Sequence, residues 1–437
     1  MRIRLRLSGL ALIAAAVACN ELTSLDQEAP SRVLARELIT PANAQLLVIS
    51  AVSDFECALA NYIVAGGLVG DELIDAQLGQ AGWDHDRRSI VPALTAYATN
   101  TCNNSQVMGP YTPINIARYQ ADVTLRALEG WTDAQLTNRT NLISQAAAHA
   151  GYSLILLGEA MCTAAIDAGP ELTREQVFAE AEARFNTAIT AAQAASNDSI
   201  LNMARVGRAR ARLNQGNLAG ARTDAQAVPP AFVRQASYGD STAPLRRQNT
   251  VHYQQYVGNF SAIDPSFRGL TVAGPTDTVP DSRVDVFEAR NPVTNAAIRG
   301  HDGATPIWRT RKYPARQSSI PIASYDEAQL IMAEVDAASA ATAPTAIGII
   351  NELRTRAGLP AYSGGVTQAE IQAAVREERR RELFLEGQRL NDIIRFNITL
   401  SPAAGTPFKN GGVYGSAVGS EACLPLPDVE RNNNPNF

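Results

Sequence analysis

Between residues 111 and 227 small side chains return every three or four positions, and this spacing constrains the fold more than any other feature. In SQAAAHAGYSLILLGEA, Ala147, Gly151, Leu154 and Gly158 recur at helical intervals and share one face. A face of Ala and Gly lets another helix backbone come close, so helix should pack on helix. The same periodicity predicts helices over Ala42 to Val64, Tyr111 to Leu128 (Pro113 in the first turn) and residues 133–160. Thr173 followed by Gln176 is a capping box. It opens a helix whose inner face carries Phe178, Ala181, Phe185, Ala188 and Ala192. Helices over Ile200 to Leu213 and Ala219 to Ala227 follow, parted by Asn214-Gln215-Gly216-Asn217. Abundant Ala and only 6% aromatic residues favour this packing over a β-sandwich.

Two stretches break the helical rhythm. Gly66-Gly67-x-x-Gly70 is expected to end the first helix and open a loop-rich excursion near 65–105. Residues 229–320 are rich in Pro, Gly, Asp, Arg and aromatics, with short β-compatible runs. A long irregular insertion on a helical scaffold is where binding surface tends to be placed. Helical pattern resumes over Ser324 to Ser339 and Pro344 to Arg356, closing at Gly358. Ile371 to Phe396 then reads as one helix, with Ile371, Val375, Leu383, Gly387, Leu390 and Ile394 on its buried face. Its charges fall at i,i+3 or i,i+4, as Glu377/Arg381, Glu386/Arg389, Arg389/Asp392 and Asp392/Arg395. They are expected to form a solvated face with weak ion pairs.

That last stretch, Glu378-Arg379-x-x-Glu382-Leu383-x-x-Glu386-Gly387-x-Arg389-x-x-Asp392, resembles the C-terminal signature of the SusD/RagB family. Further strings resemble segments of the same family. They are Asp281-Ser282-Arg283-Val284, Trp308-x-x-Arg311-Lys312-Tyr313, Ala333-Glu334, Asn351-x-x-Arg354-x-Arg356-Ala357-Gly358-Leu359, Leu424-Pro425-Leu426-Pro427 and Asn434-Pro435-Asn436. The resemblance covers most of the chain and is weakest between residues 65 and 105. It implies an outer-membrane lipoprotein that binds nutrients at the bacterial surface and acts as a lid over a TonB-dependent SusC-like barrel. Four tetratricopeptide-like units as a scaffold are implied as well, and Ala209, Gly216 and Ala221 match the small-residue spacing of one. The expected fold class is therefore mostly all-α: a tetratricopeptide-like helical hairpin scaffold with a loop-rich insertion containing short strands.

The N-terminus points to the same compartment. Arg2, Arg4 and Arg6 precede an apolar run from Leu7 to Ala18, as in a secretory signal. Ala16-Val17-Ala18-Cys19 resembles a bacterial lipobox, which makes Cys19 the lipidation site and residues 1–18 the signal peptide. Residues 19–38 then read as a tether, followed by one SusD-like domain over 39–437. Within it, 39–228 is the helical array, 229–320 the insertion and 321–437 the C-terminal helices and tail. No later stretch is expected to approach the ~20 apolar residues of a membrane span. Removing the leader arginines shifts the formal charge from −5 to near −8, and no basic nucleic-acid footprint is present.

Cys57, Cys102, Cys162 and Cys423 remain, an even number in an exported chain, so two disulfides are expected with three possible pairings. Cys57–Cys102 would restrict a weakly patterned loop with little risk to packing, leaving Cys162–Cys423. The other pairings, and free buried thiols, stay open.

Catalytic and cofactor motifs are absent: no GxSxG, P-loop, HExxH or EF-hand spacing occurs, and no cofactor is expected. Asp84-His85-Asp86 is a candidate for a cation, although three polar residues on a loop are more often solvated. For a bound oligosaccharide or oligopeptide the relevant groups are exposed rings, and Trp83, Tyr253, Tyr256 and Trp308 lie in the loop-rich parts. Each has a competing role as a core or loop-anchoring ring. Two other classes of function remain beside the nutrient-binding one. They are a lipid-anchored tetratricopeptide scaffold that binds only proteins, and an envelope hydrolase.

Overall fold

The structure, a computed structural model, describes residues 35–77, 79–102, 109–241, 247–274, 276–409 and 417–437. Cys19 and the leader lie outside the described residues. The helices that carry the architecture are α1 (Ala44–Val69), α2 (Tyr111–Gly130), α3 (Arg139–Ala160), α4 (Arg174–Ala194) and α5 (Asp198–Asn214). They continue with α6 (Leu218–Gln226), α7 (Tyr325–Ala337), α8 (Ala343–Arg356), α9 (Gln368–Glu382) and α10 (Arg389–Arg395). In chain order α1 packs on α2, α3 on α4, α5 on α6 and α7 on α8, and each hairpin touches the next. The expected Thr173/Gln176 capping box opens α4. A Cβ at Gly151 would meet the Phe185 ring at 2.8 Å, and one at Gly158 would meet Phe178 at 2.9 Å. The small-residue face of α3 is therefore a seat for the large rings of α4.

The first helix differs from expectation. α1 continues through Gly66-Gly67 to Val69, and a Cβ at Gly67 would meet the Leu73 side chain of the following strand at 3.1 Å. The glycines thin the helix for a neighbour instead of ending it. Pro41–Val69 is also long and apolar enough to cross a membrane on those grounds, unlike the expectation from sequence. Most of its apolar side chains are instead buried in the protein, Phe55, Tyr62 and Ile63 completely, while Leu46 and Ile49 near its start are exposed.

Strands are short and, among the described residues, form four two-stranded antiparallel ladders. β1 (Leu73–Asp75) pairs with β3 (Ser261–Ile263), and β2 (Val233–Ala236) with β8 (Ile320–Ser324). β4 (Thr271–Ala273) pairs with β5 (Thr278–Pro280), and β6 (Val286–Glu288) with β7 (Trp308–Thr310). The excursion near 65–105 is less irregular than expected, carrying β1 and the short helices Gln80–Asp86 and Thr95–Ala98.

The stretch from Ile371 to Phe396 is not one helix. α9 ends at Glu382, and the chain turns through Leu385 (φ 55) and Gly387 (φ 83) before α10 begins. A helix broken here leaves backbone groups to satisfy, and remote side chains do so. The Glu72 carboxylate accepts from Leu385 N at 2.6 Å, Lys312 Nζ donates to Phe384 O at 2.8 Å, and the Tyr313 hydroxyl donates to Leu385 O at 3.0 Å. Gly387 faces Tyr62 and Ile63 of α1, with a hypothetical Cβ 3.1 Å from each. Close contact was the right reading of this glycine; a continuous helix was the wrong one.

Nor do the charges of this stretch form a solvated face throughout. Glu378, Arg379 and Asp392 are 1%, 3% and 4% exposed. Arg379 spans Asp392 at 3.0 and 3.1 Å and donates to Gln388 Oε1 at 3.2 Å. Arg395 bridges Glu334 at 2.6 Å and Asp392 at 2.8 Å, and Arg389 grips Asp71 with two bonds of 2.6 Å. Of the expected local pairs, Glu377/Arg381 and Asp392/Arg395 form, while Glu386 turns to Lys312 and Arg389 to Asp71. Glu378 accepts from Arg354 of α8 and from Arg283 of the insertion. The strings that carry Arg283, Glu334, Arg354 and Glu378 to Asp392, far apart in the chain, thus meet through one set of ion pairs, an ionic joint. Burial would raise the Asp392 carboxyl, but Arg379 and Arg395 outweigh it and hold it at about 2.

Candidate functional site

The insertion builds its most exposed aromatic face on the β6–β7 hairpin. Register pairs Phe287 with Arg309, Val286 with Thr310 and Glu288 with Trp308. Partners across a ladder share a face and neighbours along a strand alternate. Trp308 and buried Thr310 therefore turn toward the core, while Phe287 and Arg309 turn outward. Against β7 lies a π-helical turn, Tyr253–Val257, closed by Gly258 N donating to Tyr253 O at 2.8 Å. Asn249 holds its entrance by accepting from His252 N at 3.0 Å and donating to Ser318 O at 2.8 Å. Gln255 fastens the turn to the strand: its side chain accepts from Thr310 N, and its carbonyl accepts from Arg309 Nε, both at 3.0 Å.

Three of the four candidate rings lie on this ladder and turn, Tyr256 on the Arg309 side and Trp308 on the core side. Tyr256 donates its hydroxyl to Thr310 O at 2.8 Å, stacks on His252 at 4.8 Å and carries the Arg309 guanidinium 4.7 Å from its centroid. Half-buried Trp308 packs against the main core and has Arg268 at 4.9 Å from its ring centroid. Tyr253, half-buried, tilts against Phe260, which in turn lies 4.7 Å from His301. On the outward side of the ladder Phe287 carries Arg311 at 4.2 Å from its centroid. Burial lowers the His252 imidazole below its usual range, opposed by the bond it donates to the Tyr313 carbonyl and reinforced by Arg316 and Arg309.

Arg311 also borders a cleft of about 390 Å³ lined by Ser282, Arg283, Asp285, Lys312, Glu382 and Glu386. Arg311 pairs with Asp285 at 2.6 Å, and Lys312 with Glu386 at 2.7 Å. Burial pushes the Glu382 carboxyl up to about 7, with Arg283 at 3.2 Å opposing it. Flat rings beside a polar, charged cleft can hold a ring-shaped or planar ligand group by its face while fixing its edge.

The remaining sequence candidates lie elsewhere. Trp83 is half-buried and packs on Phe408 and Val418. In the Asp84-His85-Asp86 string, Asp84 pairs with Arg87 and Asp86 accepts from Asp75 N at 2.8 Å. Among the described residues no group of three or more His, Cys, Asp or Glu is placed to hold a metal ion. Cys57 is bonded to Cys102 and Cys162 to Cys423, with Cα separations of 6.0 and 5.1 Å. The second bridge ties the tail to the end of α3, beside the Met161–Leu424 bridge. Sequence reasoning missed His252, Gln255, Phe287, Arg268 and Arg309. The alternation Trp308-Arg309-Thr310-Arg311 was the one local signal, since it places two arginines on the same side of a strand.

The helical hairpin array with its loop-rich insertion is a fold that this chain shares with solved SusD-like proteins. The SusD family model matches residues 309–437. A starch-binding protein SusD of Bacteroides thetaiotaomicron is 28% identical over 155 residues, covering 33% of this chain and 27% of that relative. A SusD-like carbohydrate-binding protein from Bacteroides vulgatus shares the fold at TM-score 0.66 and 17% identity, over 91% of this chain and 97% of that one. A surface glycan-binding protein A from Bacteroides uniformis does so at TM-score 0.62 and 17% identity, over 91% and 99%. These matches bear out the resemblance read from the C-terminal signature, and the solved structures show a shared fold over most of the chain.

Proposed function

We propose that this chain is an outer-membrane lipoprotein, anchored through Cys19 and facing outward, that binds oligomeric nutrients without acting as an enzyme. Glycan is the ligand its site suits best, and a SusC-like TonB-dependent barrel is the partner that would receive it. On this reading residues 1–18 are the removed leader, 19–38 the tether and 39–437 the binding domain, with the hairpin array as its tetratricopeptide-like scaffold. The observation that carries the reading is the outward face on which Tyr256 with Arg309 and Phe287 with Arg311 stand beside a polar cleft, on the insertion of a SusD-like fold. Sugar rings stack on aromatic faces while flanking polar groups set their orientation.

A glycan array followed by titration calorimetry tests it. Tyr256→Ala is expected to weaken the best glycan by about tenfold, equivalent to about 1.4 kcal/mol. Unchanged affinity would remove this face from consideration. Co-purification with a large β-barrel tests the partner, and loss of detergent-phase partitioning in Cys19→Ala tests the anchor.

A further inference from the structure

The arginines of the aromatic face differ from those of the ionic joint in what they lack. Arg309 donates through Nε to Gln255 O and through Nη2 to Asn259 Oδ1, each at 3.0 Å. A guanidinium carries five N–H donors, so about three are left for another partner. Among the described residues no carboxylate pairs with Arg309, Arg268 or Arg316. Arg311 has one acid, Asp285, and that pair is half exposed on both sides, at 55% and 50%. Arg309 lies 4.7 Å from the Tyr256 centroid, and Tyr256 stacks on His252, so this cation borders a single ring pair. Burial lowers Arg309 from its ordinary value, as expected for a cation partly stripped of water and given no countercharge. All this stands in a chain with a net charge of −5.

We propose that the face around Tyr256 selects anionic oligosaccharides, with Arg309 receiving a carboxylate or sulfate of a sugar stacked on the Tyr256 ring. The proposal rests on the reading of this face as the glycan site. Guanidinium forks match the planar geometry of carboxylates bidentately, and a partly dehydrated site strengthens the contact. A neutral sugar offers those donors only hydroxyl acceptors, with neither a countercharge nor a bidentate match.

The test compares oligogalacturonate with the same oligomer fully methyl-esterified, and a sulfated galactan oligomer with its desulfated form. Full-length lipoprotein is used, by calorimetry. The anionic member of at least one pair is expected to bind about tenfold or more tightly than its neutral twin. That preference should shrink as salt is raised. Which pair shows the effect separates carboxylate from sulfate. Arg309→Gln is expected to bring the ratio close to one, and Arg309→Lys, which keeps charge but loses the fork, to retain part of it. Thermal melts of each variant confirm that it is folded.

Equal affinity for both members of each pair in the wild type overturns the proposal. If Tyr256→Ala then weakens both members, the glycan site itself stands. If Tyr256→Ala changes neither, the site reading fails and the proposal with it. Tighter binding of oligoglutamate than of any sugar would assign the cations to an acidic peptide and also overturn it.

Discussion

The joint around Arg379 and the face around Tyr256 use arginine in opposite ways. In the joint, guanidinium and carboxylate are buried together, and each oxygen of Asp392 accepts from an arginine. On the face, guanidinium groups rest on aromatic rings at 4.2 to 4.9 Å, mostly without an acid. Burial explains the first arrangement, because an unpaired charge that deep is too costly to keep. Partial exposure permits the second, because water can serve the leftover donors until something better arrives. Complete pairing marks a scaffold, and incomplete pairing at a half-open surface marks a place for a ligand.

The sharpest way to break the comparison is to remove one partner in the joint. Arg379→Met should destabilise by about 3–5 kcal/mol, because Asp392 and Gln388 are left buried with unmet acceptors. Denaturant unfolding measures it, and a loss under about 1 kcal/mol would mean that the joint is wet. Gly387→Leu comes next. It adds strain at positive φ to crowding against Tyr62 and Ile63, for an expected loss of about 2–3 kcal/mol. An unchanged melting temperature would place the turn away from α1.

The effect of pH is smaller and sets the joint's edge apart from its centre. Burial pushes Glu72 from its ordinary 4.5 up to about 7, with the bond from Leu385 N opposing. A carboxyl with a raised folded pKa binds its proton more tightly when folded. Its stabilising contribution is complete below pH 4.5 and is lost as pH rises through about 7. Glu72→Gln should therefore gain on the wild type by about 1–3 kcal/mol between pH 5 and pH 8. Parallel stability curves for the two proteins would refute this. The smallest effect belongs to the face. Arg316→Gln should change stability by less than about 0.5 kcal/mol, since no acid loses its partner. A loss as large as that of Arg379→Met would erase the distinction between the two regions.

Much of the scaffold was legible because helical signals are local. The Thr173/Gln176 capping box, the Gly151 and Gly158 face and the ring positions Phe178 and Phe185 all fall within a few turns of one another. The C-terminal signature was legible as a pattern, although its burial was not. The turn after Glu382 depends on Glu72, Lys312 and Tyr313, which lie 313, 72 and 72 residues from the backbone groups they satisfy. Inside a window of seven residues, Glu378, Arg379 and Asp392 look like any solvated i,i+4 set. Only their remote partners, Arg283, Arg354 and Glu334, make them buried. The binding face is decided the same way. Tyr256 was visible as a ring in loop-rich sequence and Phe287 was not, and a turn, a strand and its ladder partner had to come together to set Tyr256, Arg309 and Phe287 on the outward side. Sequence alone determined which helices form and which of their faces are small or apolar, because backbone hydrogen bonding and side-chain periodicity act within a few residues. Tertiary structure alone decided which charges are paired and which are left open, because pairing depends on distances between groups that the chain holds hundreds of residues apart.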